Sequence, residues 1–184
     1  MRKLIVAEFY SLDGVVEAPE NWTFPYRSED MAEYTKGQIL GPDTMIYGRK
    51  TYETFAGFWP TQTENQFGFS DKLNSVQKYV VSSTMKHADW NNTSVINGNV
   101  IGAVTKLKQQ PGGDIGTTGS VMLVQALLAA GLVDELQLTL HPIVVGHGKR
   151  LFNDGAEMNG LKFVASKTFS SGVVALTYQP EPKA

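Results

Sequence analysis

The hydrophobic pattern of the chain consists of short apolar runs separated by longer amphipathic segments. Residues 3–10 are apolar at nearly every position, which is typical of a strand buried on both faces of a mostly parallel sheet. Leu136, Leu138 and Leu140 alternate with other residues at a period of two, which predicts another strand. Further short runs predict strands at residues 44–47, 77–81, 94–96 and 115–118.

The longer segments between these runs predict helices. Their apolar residues recur at spacings of three and four, as on the inner face of a helix. Helices are expected from residue 28 to the Gly41 and Pro42 pair, after Gly48, over residues 100–108, and from Ser120 to Gly131. Residues 58–73 are rich in Gly, Pro, Thr, Asn and Gln, so we expect an irregular, mobile excursion there with a short helix near residues 71–73.

The order of these elements predicts the fold class. Strands and helices alternate first, and two strands then follow one another at residues 161–169 and 172–179. This order predicts an α/β fold with a mixed, mostly parallel central sheet, helices on both faces and a C-terminal antiparallel hairpin. A length of 184 residues with 42% hydrophobic content suits one well-buried core, so we expect a single domain over residues 1–184.

Composition narrows the classes of partner. The formal net charge is -2 and the basic residues are scattered, so we expect no binding to nucleic acid or to an anionic membrane. The absence of cysteine excludes disulfides, thiolate metal ligands and cysteine nucleophiles. No stretch approaches the length of a transmembrane helix, and Glu8 interrupts the first apolar run too early for a signal peptide. We therefore expect a cytoplasmic protein, and no residue pattern predicts a metal site.

Gly119 and Ser120 lie where a strand meets the amino terminus of a helix. The first amides of a helix lack partners within it and carry the positive end of its dipole, so a phosphate can bind there if no side chain blocks the approach. Gly119 permits such an approach. The alternative is an ordinary turn in which Ser120 caps the helix, and for this junction alone that alternative is favoured.

Two other strand ends carry similar chemistry. Gly48 follows the second strand, and Arg49, Lys50 and Thr51 occupy the first helical turn after it. Cations at that position oppose the helix dipole unless an anion is bound, so this junction favours a phosphate site. The hydroxyl cluster at residues 82–84 ends the third strand and can either cap a turn or bind phosphate oxygens.

The three junctions can converge on one extended ligand. In an open α/β sheet, ligands bind outside the carboxyl ends of the strands, and a dinucleotide has a suitable length and charge. The sequence contains neither the dinucleotide-binding GxGxxG fingerprint nor the GxxxxGK[ST] phosphate loop at these positions. A Rossmann site and a nucleotide triphosphatase are therefore not indicated.

At these residues the chain resembles a known family. Residues 46–53 look like the Gly-Arg-x-Thr motif of dihydrofolate reductases. Residues 11–14, 119–128, 131–135 and 142–152 are closer to the riboflavin-biosynthesis reductase branch of that fold, the RibD C-terminal-domain family. The resemblance covers roughly residues 3–179, and its strongest part is the carboxyl half.

The resemblance implies a reductase that binds NADPH across the strand ends. Ala7 and Tyr47 would lie near the nicotinamide or its ribose, whereas Arg49 would pair with the adenosine 2′-phosphate or the pyrophosphate. The cofactor-binding residues implied in this way are Ala7, Tyr47, Gly48, Arg49, Lys50, Thr51, Ser82, Ser83, Thr84, Gly119, Ser120, Val121 and Met122. A homodimer is also implied, with residues 136–145 and the last strands as its expected interface.

The proton donor is expected among the carboxylates. Dihydrofolate reductases use a carboxylate on the first helix, which corresponds most nearly to Asp30, with Glu29 and Glu33 as alternatives. These carboxylates could instead simply complement the helix dipole. Asp13 is a second candidate, either as a turn residue or as a site residue. Glu8 stands in an otherwise apolar strand, and we expect it either to point out at the edge of the sheet or to be paired.

The resemblance predicts hydride transfer to a small pterin- or pyrimidine-like molecule, as in dihydrofolate reductases or 5-amino-6-ribosylaminouracil-phosphate reductases. The riboflavin enzymes carry a deaminase domain or recognise a ribose phosphate, and this chain lacks the deaminase zinc motif, so the substrate itself is not implied. Two alternatives remain: a nucleotide-binding module without catalysis, and a non-catalytic dimeric domain of the same fold.

Overall fold

A computed structural model of the protein describes residues 1–152 and 160–181. The helices and strands in chain order are β1 (Leu4–Ser11), α1 (Glu29–Leu40), β2 (Thr44–Gly48), α2 (Arg49–Phe58), α3 (Ser70–Ser75), β3 (Gln77–Val81), β4 (Thr93–Ile96), α4 (Val100–Gln109), β5 (Ile115–Thr117), α5 (Val121–Ala129), β6 (Glu135–His141), β7 (Leu161–Thr168) and β8 (Val174–Pro180). Short 3-10 helices occur at Pro19–Asn21, Phe24–Tyr26, Trp59–Thr61 and Gln66–Gly68. Within the described ranges, no helix is long and apolar enough to cross a bilayer.

The strands form one sheet in the order β4-β3-β2-β5-β1-β6-β8-β7. The pairs from β4 to β6 are parallel, whereas β8 is antiparallel to both β6 and β7. Each parallel connection before β6 contains at least one helix, apart from the loop between β3 and β4. The predicted α/β fold with a mixed, mostly parallel sheet and a C-terminal antiparallel hairpin is confirmed.

Helices cover both faces of the sheet. On one face, Leu4 of β1 packs in a buried cluster with Val104 of α4 and Leu127 of α5. On the other face, Met45 of β2 packs with Leu73 of α3, and α1 lies on this face as well. Successive residues of a strand point to opposite sides of the sheet, so the register of β1, β5 and β2 places Leu4 and Met45 on opposite faces.

A crevice opens between the central strands β1 and β5. Their pairing ends at Val6 and Thr117, and from Ala7 onward β1 pairs with β6 alone. The chain leaves β1 toward α1 on one face and leaves β5 toward α5 on the other. Adjacent strands whose connections depart in opposite directions form a topological switch point, where open α/β sheets bind ligands.

Element boundaries differ from the sequence predictions in a few places. The excursion predicted at residues 58–73 contains two 3-10 helices, and α3 begins at Ser70. On α4, Ile101 is 37% exposed, whereas Val104 and Leu107 are buried in the core. Strand β6 ends at His141, immediately before Pro142.

Candidate functional site

A cavity of about 1020 Å³ lies between α1, α3 and the sheet, at the crevice between β1 and β5. The sheet contributes apolar and hydroxyl side chains to its floor, including Ile5, Ala7, Met45, Tyr47 and Thr139. One wall is aromatic and consists of Phe55, Phe58, Trp59, Phe67 and Phe69. A cavity of this size can hold a drug-sized ligand with most of its surface buried.

The aromatic wall is held together by ring contacts centred on Trp59. The Trp59 ring centroid lies 5.3 Å from that of Phe69 and 5.0 Å from that of Phe58. Both distances are in the range of favourable aromatic pairs. The wall can therefore present a preformed apolar surface to a planar ligand.

Two of the predicted junctions are in direct contact beside this cavity. The Gly48 amide donates a hydrogen bond of 3.1 Å to the Gly119 carbonyl. A Cβ on Gly48 would overlap the side chain and backbone of Ser120, so only glycine fits there. Gly119 has a φ of 106°, and Thr51 Oγ1 lies 3.0 Å from the position that a Cβ on Gly119 would occupy. Gly48, Thr51, Gly119 and Ser120 thus form one compact group.

Both helices that start at this group have open amino termini. Neither Gly48 before α2 nor Ser120 before α5 makes a side-chain capping hydrogen bond. The capping alternative for Ser120 is therefore not realised. The first amides of both helices can donate hydrogen bonds to acceptor atoms of a ligand. Val121 and Met122 lie in the first turn of α5, and the Met122 side chain is 70% exposed.

The third junction is connected to the first through Arg49. An Arg49 guanidinium nitrogen donates a hydrogen bond of 2.6 Å to Thr84 Oγ1. Ser82 Oγ accepts hydrogen bonds from the Thr84 and Met85 amides at 3.3 and 3.0 Å, so this residue caps its turn, whereas Ser83 is exposed. All three predicted junctions therefore lie together at the carboxyl ends of the parallel strands.

The two cations at the start of α2 have carboxylate partners. Arg49 Nε lies 2.7 Å from Glu53 Oε1, and Lys50 Nζ lies 3.4 Å from Glu17 Oε1. Both pairs are largely exposed, so each contributes little to stability. The position of these cations does not by itself require a bound anion, although exposed pairs of this kind can exchange partners readily.

The placement of Asp30 argues against its predicted role as proton donor. Asp30 is not among the residues that line the cavity, and its carboxylate accepts hydrogen bonds from the Ser170 amide and hydroxyl at 2.9 and 3.0 Å. Hydrogen bonding from the Ser28 side chain and the Ser170 amide lowers the pKa of Asp30 to about 2. An ionised carboxylate fastened to the loop before β8 is unsuited to donate a proton. Its neighbours Glu29 and Glu33 do line the cavity.

Asp13 likewise fastens a loop. Its carboxylate accepts hydrogen bonds from the Val145 and Gly146 amides at 3.0 and 2.9 Å, and it lies 3.5 Å from a guanidinium nitrogen of Arg150. The Val145 amide and the Ser11 hydroxyl are the main causes that lower its pKa to about 2. Asp13 does not line the cavity, so its placement supports the turn interpretation over a catalytic one.

Glu8 differs from both expectations stated for it. It lies on an interior strand rather than at an edge, its side chain is buried, and it takes part in no ion pair among the described residues. It lines the cavity, and its Oε1 has no hydrogen-bond partner. Burial raises the pKa of Glu8 to about 8. The expectation that Glu8 points out at the edge of the sheet failed because the order of strands in the sheet decides which strands lie at an edge, and the sequence pattern does not contain that order.

Two hydroxyls that line the cavity are also without a partner in the described structure. They are the buried Tyr47 Oη and Thr35 Oγ1. Sequence reasoning assigned Tyr47 by its position but missed Thr35, because a threonine within a helix carries no signal of its own. Buried unpaired polar atoms are rare in native proteins, so these hydroxyls are candidates for contact with a ligand.

Comparison with known proteins agrees with this geometry. The family model of the RibD C-terminal domain matches residues 2–175 of the chain. The uncharacterized protein YyaP of Bacillus subtilis (strain 168) is 35% identical over 185 residues, which cover 96% of this chain and 94% of that protein. The uncharacterized protein YwjB of the same organism is 27% identical over 175 residues, which cover 94% and 95% of the two chains.

Solved structures with the same fold include one protein named for riboflavin biosynthesis and two reductase-type proteins. A protein named for riboflavin biosynthesis from Shewanella sp. PV-4 superposes with a TM-score of 0.76 at 18% identity and covers 99% of this chain and 100% of its own. A pyrimidine reductase-like protein from Corynebacterium diphtheriae has a TM-score of 0.67 at 16% identity, with 99% and 93% covered. Dihydrofolate reductase from Enterococcus faecalis, solved in complex with NADP(H) and RAB-propyl, has a TM-score of 0.65 at 16% identity, with 98% and 97% covered.

The family match and the structural likenesses each extend over nearly the whole chain. At such low identities the solved structures show the fold, whereas the family model and YyaP show the family. The chain therefore belongs to the RibD C-terminal domain family and has the dihydrofolate reductase-like fold that its motifs implied.

Proposed function

We propose that the protein is an NADPH-dependent reductase that transfers hydride to a small pterin- or pyrimidine-like heterocycle. The observation that carries this proposal is the meeting of three strand ends beside a large aromatic-walled cavity at the switch point of the sheet. The names of the solved relatives support it, since one is pyrimidine reductase-like and another is a dihydrofolate reductase complexed with NADP(H).

The residues at the strand ends fit a dinucleotide phosphate. The amides that open α2 and α5 lack capping side chains, and they border the compact group around Gly119. Such amides and the helix dipole favour a pyrophosphate. Arg49 can present its guanidinium to the 2′-phosphate, with Thr84 as a hydroxyl neighbour. When bound, NADPH supplies the hydride from its nicotinamide ring.

The cavity fits a flat substrate. Its aromatic wall can stack on a planar ring, and the unpaired hydroxyls of Tyr47 and Thr35 can bind polar atoms on the ring edge. Glu29 and Glu33 line the cavity from α1, and we propose that one of them delivers the proton to the substrate. The walls would also exclude water during transfer.

Cofactor titration tests this proposal. The protein is titrated with NADPH and NADH while its thermal stability is followed, since a ligand that binds the folded state raises the melting temperature. We expect stabilisation by NADPH that is greatly reduced in Arg49→Ala, and weaker stabilisation by NADH. Lys106→Ala is the matched control, because Lys106 is an exposed cation in the last turn of α4, the end of that helix that leads to the amino end of β5. The absence of any shift at millimolar NADPH would exclude both a reductase and a nucleotide-binding module.

Substrate turnover separates an enzyme from a binding module. NADPH oxidation is followed on addition of dihydropterins, oxidised pterins and aminopyrimidines. Substrate-dependent oxidation supports the reductase, whereas cofactor binding without oxidation across the panel favours the non-catalytic module.

The homodimer stays a prediction, and we narrow its predicted interface from residues 136–145 and the last strands to one of those last strands, β7. Strand β6 lies between β1 and β8, and Leu136 and Leu138 are buried in the core, so this strand cannot supply an association edge. The apolar side chains available at the edge of the sheet are Phe163 and Val164 on β7, which are 55% and 44% exposed. We propose β7 as the association surface, and mass measurement in solution tests it.

A further inference from the structure

The crevice between β1 and β5 contains an acidic side chain to which the proposed site gives no role. Glu8 lies two residues beyond Val6, the last β1 residue that pairs with β5. It is 7% exposed and lines the cavity, and its Oε1 has no hydrogen-bond partner in the part of the chain that the structure describes. A buried polar atom without a partner is costly unless a ligand satisfies it.

The Glu8 carboxyl borders the group proposed to hold the cofactor phosphates. Oε1 lies 3.8 Å from the position that a Cβ on Gly119 would occupy, and Thr51 Oγ1 lies 3.0 Å from the same position. Glu8, Thr51 and Gly119 therefore surround one small space at the start of α5. A dinucleotide whose pyrophosphate binds at Gly119 would bring its oxygens close to Glu8.

No cation among the described residues neutralises this carboxyl. Strand β5 and helix α5 contain no titratable residue, and Arg49 and Lys50 are paired with Glu53 and Glu17. The titratable side chains on the elements around Glu8 are Tyr10 on β1, Glu29, Asp30, Glu33, Tyr34 and Lys36 on α1, Tyr47 on β2, Arg49, Lys50, Tyr52 and Glu53 on α2, and Glu135 and His141 on β6. Arg27 and Asp114 line the same cavity from loops.

The protonation state of Glu8 follows from this environment. Burial raises its pKa to about 8, so at neutral pH the side chain is mostly a carboxylic acid with an O–H donor. Burial lowers the pKa of His141 and raises that of Tyr47 and Tyr10, so these three groups do not acquire charge in the range where Glu8 ionises. A neutral donor is compatible with a nearby phosphate, whereas a buried carboxylate would repel it.

We propose that Glu8 binds the cofactor as a neutral carboxylic acid, donating a hydrogen bond to an oxygen of the dinucleotide at the Gly119 turn, and that ionised Glu8 excludes the dinucleotide. This inference rests on the proposed NADPH site. It makes cofactor affinity depend on one proton held by the protein.

The experiment measures the NADPH dissociation constant of the native protein and of Glu8→Gln from pH 7.5 to 9.5. This range lies above the second ionisation of the 2′-phosphate, near pH 6. For the native protein we expect the dissociation constant to rise about tenfold per pH unit above the Glu8 pKa, as one linked proton requires. For Glu8→Gln, which keeps a donor and cannot ionise, we expect tight binding that does not change across the range.

A matched comparison removes the main competing titration. Burial also lowers the pKa of Lys78 to about 8, and its ammonium donates hydrogen bonds of 2.8 Å to the Leu73 and Val76 carbonyls. Lys78 is present in both the native protein and Glu8→Gln, so its titration would affect both proteins alike. The same pH dependence in both proteins, or a flat profile in the native protein, would overturn the role of Glu8. Failure of NADPH to bind at any pH would overturn the proposed function as well.

A second measurement needs no variant and covers the case in which Glu8→Gln does not fold. Calorimetric titration of the native protein with NADPH at pH 8.5, in buffers of different ionisation enthalpy, reports protons taken up on binding. Uptake of a fraction of a proton for each NADPH bound supports the inference, because binding would select the protein with protonated Glu8. Binding without uptake overturns it.

Discussion

The buried Glu8 carboxyl also affects the stability of the fold, in a direction that depends on pH. Its folded pKa of about 8 lies above the ordinary value of 4.5. The folded state therefore holds a proton that the unfolded state has lost between these two values, and stability falls as pH rises from about 4.5 toward 8. Glu8→Gln removes this dependence. At pH 7 we expect the variant to be more stable than the native protein by on the order of 3 kcal/mol.

Urea unfolding at pH 5.5 and pH 8 checks this prediction. The stability difference between Glu8→Gln and the native protein should grow with pH over that range. Glu20→Gln is the control, since Glu20 is an exposed glutamate in the first 3-10 helix. Equal pH slopes for the native protein and Glu8→Gln would show that Glu8 is ionised in the fold.

Asp30 is expected to have the opposite pH signature. Its folded pKa of about 2 lies below the ordinary value of 3.8, so its contribution is present above about pH 4 and disappears as pH falls toward 2. Asp30→Asn should lower the melting temperature at pH 7 and leave the NADPH dissociation constant unchanged, because the carboxylate holds Ser170 rather than lining the cavity. A large loss of turnover with unchanged melting temperature would restore the catalytic assignment.

At the scale of elements, the α2 and α5 junction depends on the missing side chain of Gly48. In Gly48→Ala the new Cβ would overlap Ser120, whose backbone cannot move without shifting the start of α5. We expect a loss of about 1–3 kcal/mol in unfolding free energy, as for other overpacked sites, together with weaker NADPH binding. Chemical denaturation and cofactor titration measure the two effects.

Gly57→Ala is the matched control in the same helix. No atom lies within 4 Å of a Cβ at Gly57, and its backbone is helical. Alanine there should stabilise the protein by about 0.4–1 kcal/mol by reducing the entropy of the unfolded chain. If both variants behaved alike, the close approach of Gly48 to Ser120 would not be what fixes glycine at that position.

Periodicity along the chain was sufficient to predict most elements, because buried faces repeat at fixed spacings. The sequence also located Gly48 and Gly119, because a glycine between a predicted strand and a predicted helix is a local signal. The roles of the carboxylates could not be predicted in this way. Asp13 and Asp30 are engaged by Val145 and Ser170, which lie 132 and 140 residues away in sequence. Glu8 is buried only because β1 lies between β5 and β6 in the sheet.

At the scale of the whole molecule, the partly exposed Asp134 carboxylate joins the buried Lys108 on α4 to the amino-terminal strand β1. Lys108 on α4 contacts the Asp134 carboxylate and donates a hydrogen bond of 2.6 Å to the Leu132 carbonyl. The same Asp134 oxygen accepts a hydrogen bond of 2.7 Å from the Leu4 amide. This arrangement explains physically why an aspartate precedes β6, and it aligns β6 with β1 on one side of the crevice.

Asp134→Asn should therefore destabilise the protein more than removal of its partner does. Loss of the carboxylate leaves the buried Lys108 ammonium without a counter-charge, which costs about 3–5 kcal/mol for fully buried pairs. Asp134 is 36% exposed, so we expect about 1–3 kcal/mol after solvent screening. Lys108→Met replaces the cation with an apolar chain of similar length and leaves Asp134 bonded to Leu4, so we expect a change within about 1 kcal/mol. Denaturant unfolding of the two single variants and the double variant measures the coupling. If the two single variants lost the same unfolding free energy, the pair would act through direct attraction. A larger loss in Asp134→Asn than in Lys108→Met, as predicted, would mean that the buried ammonium without a counter-charge causes most of the destabilisation.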